Sequence, residues 1–328
     1  MLGLLHPQRL PAAGPAAAVY PLSPRHTGKT HPLSDRFVQG RQQWKAVASA
    51  AAAVAAAAAH SRRPRAARQA MSTATATAQR AAAQVLPWQS IRGAYCMNMD
   101  RRPERWSFMQ QQFADLKMPV LRWSAVDGRL LDVQGLAQGG LINPKALQRY
   151  FLPDQQKLFG VDLTAGGIGC ALSHMEIWRH VILNNPDADD GDYFLVIEDD
   201  CQFLPGFSEA QLLARLSQVP DDWQMVYLGG QDLMRRQGEL EVGDGVRRLY
   251  RGFRETTAYL ITVSGCKACL EVSVPMSWQI DTHLSENEVE LEGGLSYTVK
   301  PRGYCLFPPL VEQERSTFKT DVQKMEHD

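Results

Sequence analysis

Three consecutive acids, Glu198, Asp199 and Asp200, close the run Tyr193, Phe194, Leu195, Val196, Ile197. That run is short, aromatic and β-branched, the composition of a buried central strand in a parallel sheet. Open α/β sheets bind their ligands at the carboxyl ends of such strands. Carboxylates packed together repel unless positive charge sits among them. The cluster therefore points to a hard divalent cation holding a phosphate, with oxygen ligands that suit Mn²⁺ or Mg²⁺ better than zinc. The plainer alternative is a helix N-cap whose acids stay in water. If the strand remains extended, Glu198 and Asp200 share one face as metal ligands and Asp199 points the other way.

The elements that must position these acids follow from periodicity. A first strand is predicted at 94–99, then a helix capped by Asp100, with Pro103 in its first turn and Trp106, Met109, Phe113 and Leu116 along one face. A second strand at 120–126 ends in the turn pair Asp127 and Gly128. Residues 129–162 show little periodic structure beyond a short helix near 146–150, and so long an irregular stretch is usually functional. Thr164 opens a helix that buries Ile168, Leu172, Met175, Val181 and Ile182 and stops at Pro186. Further strands are expected at 225–228 and 256–263, helices near 209–218 and 264–272, and a loop at 277–283 carrying Trp278, Asp281 and His283. Alternating strands and helices predict an α/β fold with a mostly parallel, Rossmann-like sheet covered on both faces.

Composition divides the 328 residues into two regimes. Of 35 basic and 35 acidic residues, eleven and one precede Gln84, which leaves 24 and 34 for the body. An acidic body argues against nucleic acid as a partner. Residues 1–85 form an Ala- and Arg-rich leader with almost nothing to bury, expected to be disordered, and 86–328 form one domain. Arg-rich, Ser-containing and acid-poor is the composition of a plastid or mitochondrial transit peptide. A weak ER or Golgi signal anchor and a true start at Met71 are the other readings, and membrane association is expected through the leader only. Six scattered cysteines, with no Asn-x-Ser/Thr sequon, do not require an oxidising compartment. Cys266 and Cys269 lack the second pair that a zinc site needs and read as packed core.

Ordered motifs carry a family resemblance. Tyr95 to Arg105 (YCMNMDRRPER), the pair Asp127 and Gly128 after Ala125 and Val126, and the block from Gly169 to His174 (GCALSH) resemble glycosyltransferase family 25. So do the acid cluster, the late block around Asp281, and Pro308, Pro309 and Leu310 with Gln313 and Ser316. That family includes bacterial lipooligosaccharide galactosyltransferases and animal procollagen galactosyltransferases. The resemblance implies a GT-A type fold and transfer of a hexose, galactose first among them, from a UDP-sugar to a hydroxyl on a glycan or protein, with inversion. One departure is visible: Gly167 stands where the family block has Glu.

Such a transfer must neutralise a leaving diphosphate and deprotonate an acceptor hydroxyl. Arg101, Arg102 and Arg105 are candidates for the phosphate side, as bidentate donors. Asn98 reads as a base-reading or backbone-bridging residue, Asp127 and Asp199 as ribose contacts, and one of Ser173 and His174 as a wall of the donor site. Asp281 is expected to be the general base and His283 a third metal ligand. A sugar nucleotidyltransferase would place a Gly-rich loop after the first strand, where Asp100 to Pro103 contain no Gly. A non-catalytic nucleotide-sugar-binding homologue is supported by Gly167 and opposed by the intact acids.

Overall fold

The structure is a computed structural model and describes residues 88–232, 241–286, 289–292 and 295–322. The leader expected at 1–85 lies outside the described residues. In chain order the described elements are β1 (Ala94–Asn98), α1 (Pro103–Leu116), β2 (Leu121–Ser124), α2 (Val133–Gln138), α3 (Pro144–Tyr150), α4 (Ala165–Asn184), β3 (Tyr193–Glu198), β4 (Cys201–Phe203), α5 (Glu209–Leu216), β5 (Met225–Tyr227) and β6 (Gln231–Asp232). They continue with β7 (Glu241–Gly243), β8 (Val246–Arg248), β9 (Phe253–Arg254), β10 (Ala258–Thr262), α6 (Val263–Val272), α7 (Ile280–Glu286), β11 (Val289–Glu292), β12 (Leu295–Thr298), β13 (Gly303–Leu306) and β14 (Val311–Gln313).

Eight strands form one sheet in the order β2-β1-β3-β10-β5-β13-β8-β7. Six share one direction, and β10 and β8 run against them. The fold is α/β, consistent with a GT-A-like glycosyltransferase fold. Strand alternation sends Phe194 and Val196 to a core shared with α4 and α6, and Leu195 and Ile197 to a second core shared with α1 and α5. Helices therefore cover both faces, and the strand-end acids emerge between them.

Three local expectations need correction. Asp100 does not cap α1. Its carboxylate accepts from Arg122 Nη2 at 2.7 Å and Ser124 Oγ at 2.9 Å, and the cap position falls to Arg102 without a side-chain bond. Besides the expected short helix, α3 capped by Asn143, residues 129–162 hold a second, α2 capped by Asp132, that is too short to register as periodicity. The expected loop at 277–283 turns helical from Ile280. No helix among the described residues is long and apolar enough to cross a membrane.

The start of α4 is set by backbone contact. Thr164 Oγ1 caps it by accepting from Gly167 N at 2.9 Å. A Cβ on Gly128 would lie 1.7 Å from Ala165 O, and one on Gly169 would lie 2.5 Å from Val126 O. Side chains are excluded at both positions, so the helix lies directly on the chain leaving β2.

Candidate active site

β1 ends in Asn98, which is fully buried. Its Nδ2 donates to Asp199 Oδ2 at 2.7 Å and to Arg102 O at 2.9 Å, and its Oδ1 accepts from Arg122 Nε at 2.9 Å. Asn98 is thus a bridge with its hydrogen-bonding capacity engaged, which satisfies a buried amide.

Among the acids sits Arg105 of α1, a side chain only 5% exposed. Its Nη1 donates to Asp199 Oδ1 at 2.7 Å and Asp200 Oδ2 at 3.0 Å, and its Nη2 to Lys319 O at 2.7 Å. The chain turns immediately after Glu198, so Asp200 joins Asp199 on Arg105 and the extended-strand pairing of Glu198 with Asp200 does not hold. Asp199 is held between Asn98 and Arg105. One guanidinium does not balance three acids. Burial, followed by the Glu198 charge, pushes the Asp200 carboxyl up to about 7 against the pull of Arg105. Burial also raises Asp199. Asp200 Oδ1 is buried with no hydrogen-bond partner among the described residues, a position that a hard cation fits.

Glu198 faces α4. Its Oε1 accepts from Thr256 Oγ1 at 2.6 Å and lies 3.2 Å from His174 Nε2. Trp178 Nε1 can only donate, so the Tyr259 hydroxyl accepts from it at 2.9 Å, and the same hydroxyl is hydrogen-bonded to His174 Nδ1 at 2.8 Å. A carboxylate can only accept, so His174 Nε2 carries a proton and donates it to Glu198. Burial acts to raise the Glu198 carboxyl, but the His174 and Thr256 bonds and the Arg105 charge leave it below its ordinary range. Cys170, His174 and Glu198 bring ligand atoms within 4.8 Å of one another. His174 Nε2 carries the proton given to Glu198, and burial pushes the Cys170 thiol well up. Both would have to lose protons before binding metal. Ser173 donates to Gly169 O at 2.8 Å and accepts from Val126 N at 2.9 Å, which ties α4 to β2.

The arginines expected at a phosphate are occupied by acids. Arg101 pairs with Asp127 at 2.9 Å and Asp321 at 2.6 Å, and Arg102 pairs with Asp321 and Glu104. Hydrogen bonds from Arg129, then Arg101, hold Asp127 down at about 2. Asp321 belongs to a C-terminal segment that crosses the carboxyl edge of the sheet, where Phe318 also lies over the Arg105 guanidinium at 5.3 Å. Beneath it is a cavity of about 100 Å³ lined by Arg101, Arg105, Asp127, Glu198 and Asp200. Beside that lies a cleft of about 800 Å³, lined by Glu198, Asp200, Glu255, Asp281 and Gln313. Trp278, from the same segment as Asp281, is not among its wall residues.

Asp281 reaches the cleft from the first turn of α7. Its Oδ2 accepts from Glu255 N at 3.0 Å and its Oδ1 from Thr282 N at 2.6 Å. Burial raises its carboxyl against these two bonds. His283 is the clear correction. It is 3% exposed, its Nε2 donates to Val272 O at 2.7 Å, and its Nδ1 accepts from Ser277 N at 3.3 Å. Both nitrogens serve the backbone at the α6–α7 junction, so His283 is a packing residue there and not a metal ligand. Helical spacing turns it away from Asp281, which a loop reading did not anticipate. Glu255, Thr256 and Tyr259 had no sequence signal, because each meets the site only through strand pairing, whereas Gln313, part of the C-terminal motif, donates to Asp200 Oδ2 at 3.1 Å.

Residues 92–284 match the family described as Glycosyltransferase family 25 (LPS biosynthesis protein). The chain belongs to glycosyltransferase family 25. A glycosyltransferase 25 family member of Aedes aegypti is 33% identical over 183 residues, which is 54% of this chain and 27% of the relative. Procollagen galactosyltransferase 2 of Homo sapiens is 28% identical over 177 residues, 53% of this chain and 26% of that protein. The match spans about a quarter of the length of these relatives. Within this family 25 domain, Gly167 lines the larger cleft, and a Cβ there would meet Gln279 Cγ and Thr164 Oγ1 at 3.2 Å.

Proposed function

We propose that this family 25 domain transfers a hexose, galactose by the names of its relatives, from a UDP-sugar to a hydroxyl of a glycan or protein, with inversion. Asp200 carries the proposal: a buried carboxylate with an unpartnered oxygen, beside Glu198, at the carboxyl edge of the sheet. Glu198 and Asp200 would hold Mn²⁺ or Mg²⁺, which supplies Lewis-acid stabilisation of the departing diphosphate. Arg105 holds Asp199 and Asp200 in place, and Asn98 fixes Asp199 from the other side. The His174 proton on Nε2 keeps Glu198 ionised and oriented. On the acceptor side the cleft offers two carboxyls, Asp281 and Glu255.

The test is release of UDP from UDP-galactose with Mn²⁺ and with chelator. Asp200→Asn keeps the shape but removes the charged ligand, and the metal-dependent rate is expected to fall at least about a hundredfold. Full activity in chelator, or in the variant, overturns the metal assignment. Gly167 favours the second function, a nucleotide-sugar-binding homologue without turnover. Calorimetric UDP-galactose binding with no UDP release would establish that instead.

A further inference from the structure

Glu255 has a φ of 77°, a left-handed backbone that residues with side chains rarely adopt. Such conformations persist only where the surroundings impose them, and they gather at functional sites. Here both sides impose it. The Glu255 N–H donates to Asp281 Oδ2 at 3.0 Å, and Asp281 is itself held by the Thr282 N–H. The next two residues lock onto the end of β3: Thr256 Oγ1 donates to Glu198 Oε1 at 2.6 Å, and Thr257 O accepts from Glu198 N at 2.9 Å. A strained residue is thereby fixed between the acid at the end of β3 and the acid on α7.

Its side chain is 14% exposed and lines the same cleft as Glu198, Asp200 and Asp281. Oε1 pairs with Arg315 of the C-terminal segment, and Oε2 has no partner among the described residues. Charged neighbours from each side are Arg315, Glu198 and Asp281, with Arg254 adjoining in the chain. Burial pushes the carboxyl up to about 7, with Arg315 opposing and Glu198 and Asp281 adding to it. A base of that strength works near neutral pH.

We propose that Glu255 is the general base of the transfer and that Asp281 is its positioning residue, acting through the Glu255 backbone N–H; this rests on the glycosyl-transfer function proposed above. The acceptor O–H bond breaks and its proton passes to Glu255 Oε2. The freed electron pair forms the bond to the anomeric carbon. The bond from that carbon to the diphosphate oxygen breaks, and its electron pair leaves with UDP. Glu255 then returns the proton to water in the cleft.

The experiment follows UDP release from UDP-galactose and Mn²⁺, with water as acceptor, alongside calorimetric donor binding and thermal unfolding of the full chain. Glu255→Gln is expected to keep donor binding within about threefold and to lose about a hundredfold or more in rate. It should also lose the limb on which wild-type kcat/KM rises with pH through about 7. Glu255→Gly suits the positive φ and should unfold no earlier than wild type, yet be as slow, with added formate restoring part of the rate. Asp281→Asn should lower the plateau and keep the limb. Glu255 variants as fast as an active wild type overturn this assignment alone, as does loss of the limb in Asp281→Asn but not in Glu255→Gln. A wild type that releases no UDP overturns the transfer function and this assignment with it.

Discussion

At the scale of residues, Arg105 makes the acid cluster tolerable. Its guanidinium is shared by Asp199 and Asp200, and both carboxyls remain raised by burial even so. Arg105→Met keeps the stem and removes the charge, leaving buried acids unpaired. Denaturant unfolding should find it roughly 3–5 kcal/mol less stable; a loss below about 1 kcal/mol would show that the acids find water instead. The raised carboxyls also set a pH dependence. Glu255 and Asp200 each stand at about 7, so the folded chain binds their protons more tightly than the unfolded chain does. Their contribution is complete below the ordinary carboxylate range and is lost as pH rises to about 7. Thermal unfolding without divalent ions is therefore expected to occur earlier at about pH 8 than at about pH 5, and Glu255→Gln should flatten that difference. An unfolding temperature that rises steadily over this window would contradict both shifts.

At the scale of elements, α4 is seated by close backbone approach and the site depends on that seat. His174 and Cys170 reach Glu198 from α4, while Gly169 rests on Val126 O. Gly169→Ala would place its methyl 2.5 Å from Val126 O and 2.7 Å from Gly128 N, atoms that cannot step aside as a side-chain tip can. A loss of about 2 kcal/mol is expected, visible in the unfolding midpoint, although Ala is the better helix former in isolation. Unchanged or increased stability would mean that α4 can slide on β2. The C-terminal segment is the other element that shapes the site, because Asp321 ties Arg101 and Arg102 together across the sheet edge.

At the scale of the whole molecule, the two cores formed by the described residues lie on opposite faces of one sheet. The leader offers one acid, many alanines and little to pack, so its removal should not disturb the domain. A chain starting at Met71 is expected to keep the unfolding temperature and UDP-galactose affinity of the full chain. An insoluble or molten product, beside a soluble full chain, would assign the leader a structural part.

Much of this architecture was written locally. Apolar runs with period-two or helical spacing marked β1, β3, β5, β10 and α4, because each buries a face that its own sequence defines. The strand-end position of the three acids, and the ordered motifs of family 25, were legible for the same reason. What each acid meets was not. Arg105 reaches Asp199 across 94 residues and Arg101 reaches Asp321 across 220, separations over which spacing carries no information. One guanidinium answers only part of the charge conflict that the sequence assigned to a metal, and a helix where a loop was expected turns His283 into packing. Glu255 becomes visible only when β10 pairs with β3 and α7 supplies Asp281. Local sequence determined which groups stand at the carboxyl edge of the sheet; long-range pairing decided which charges they share and which remain open to the cleft, because that depends on what the fold buries beside them.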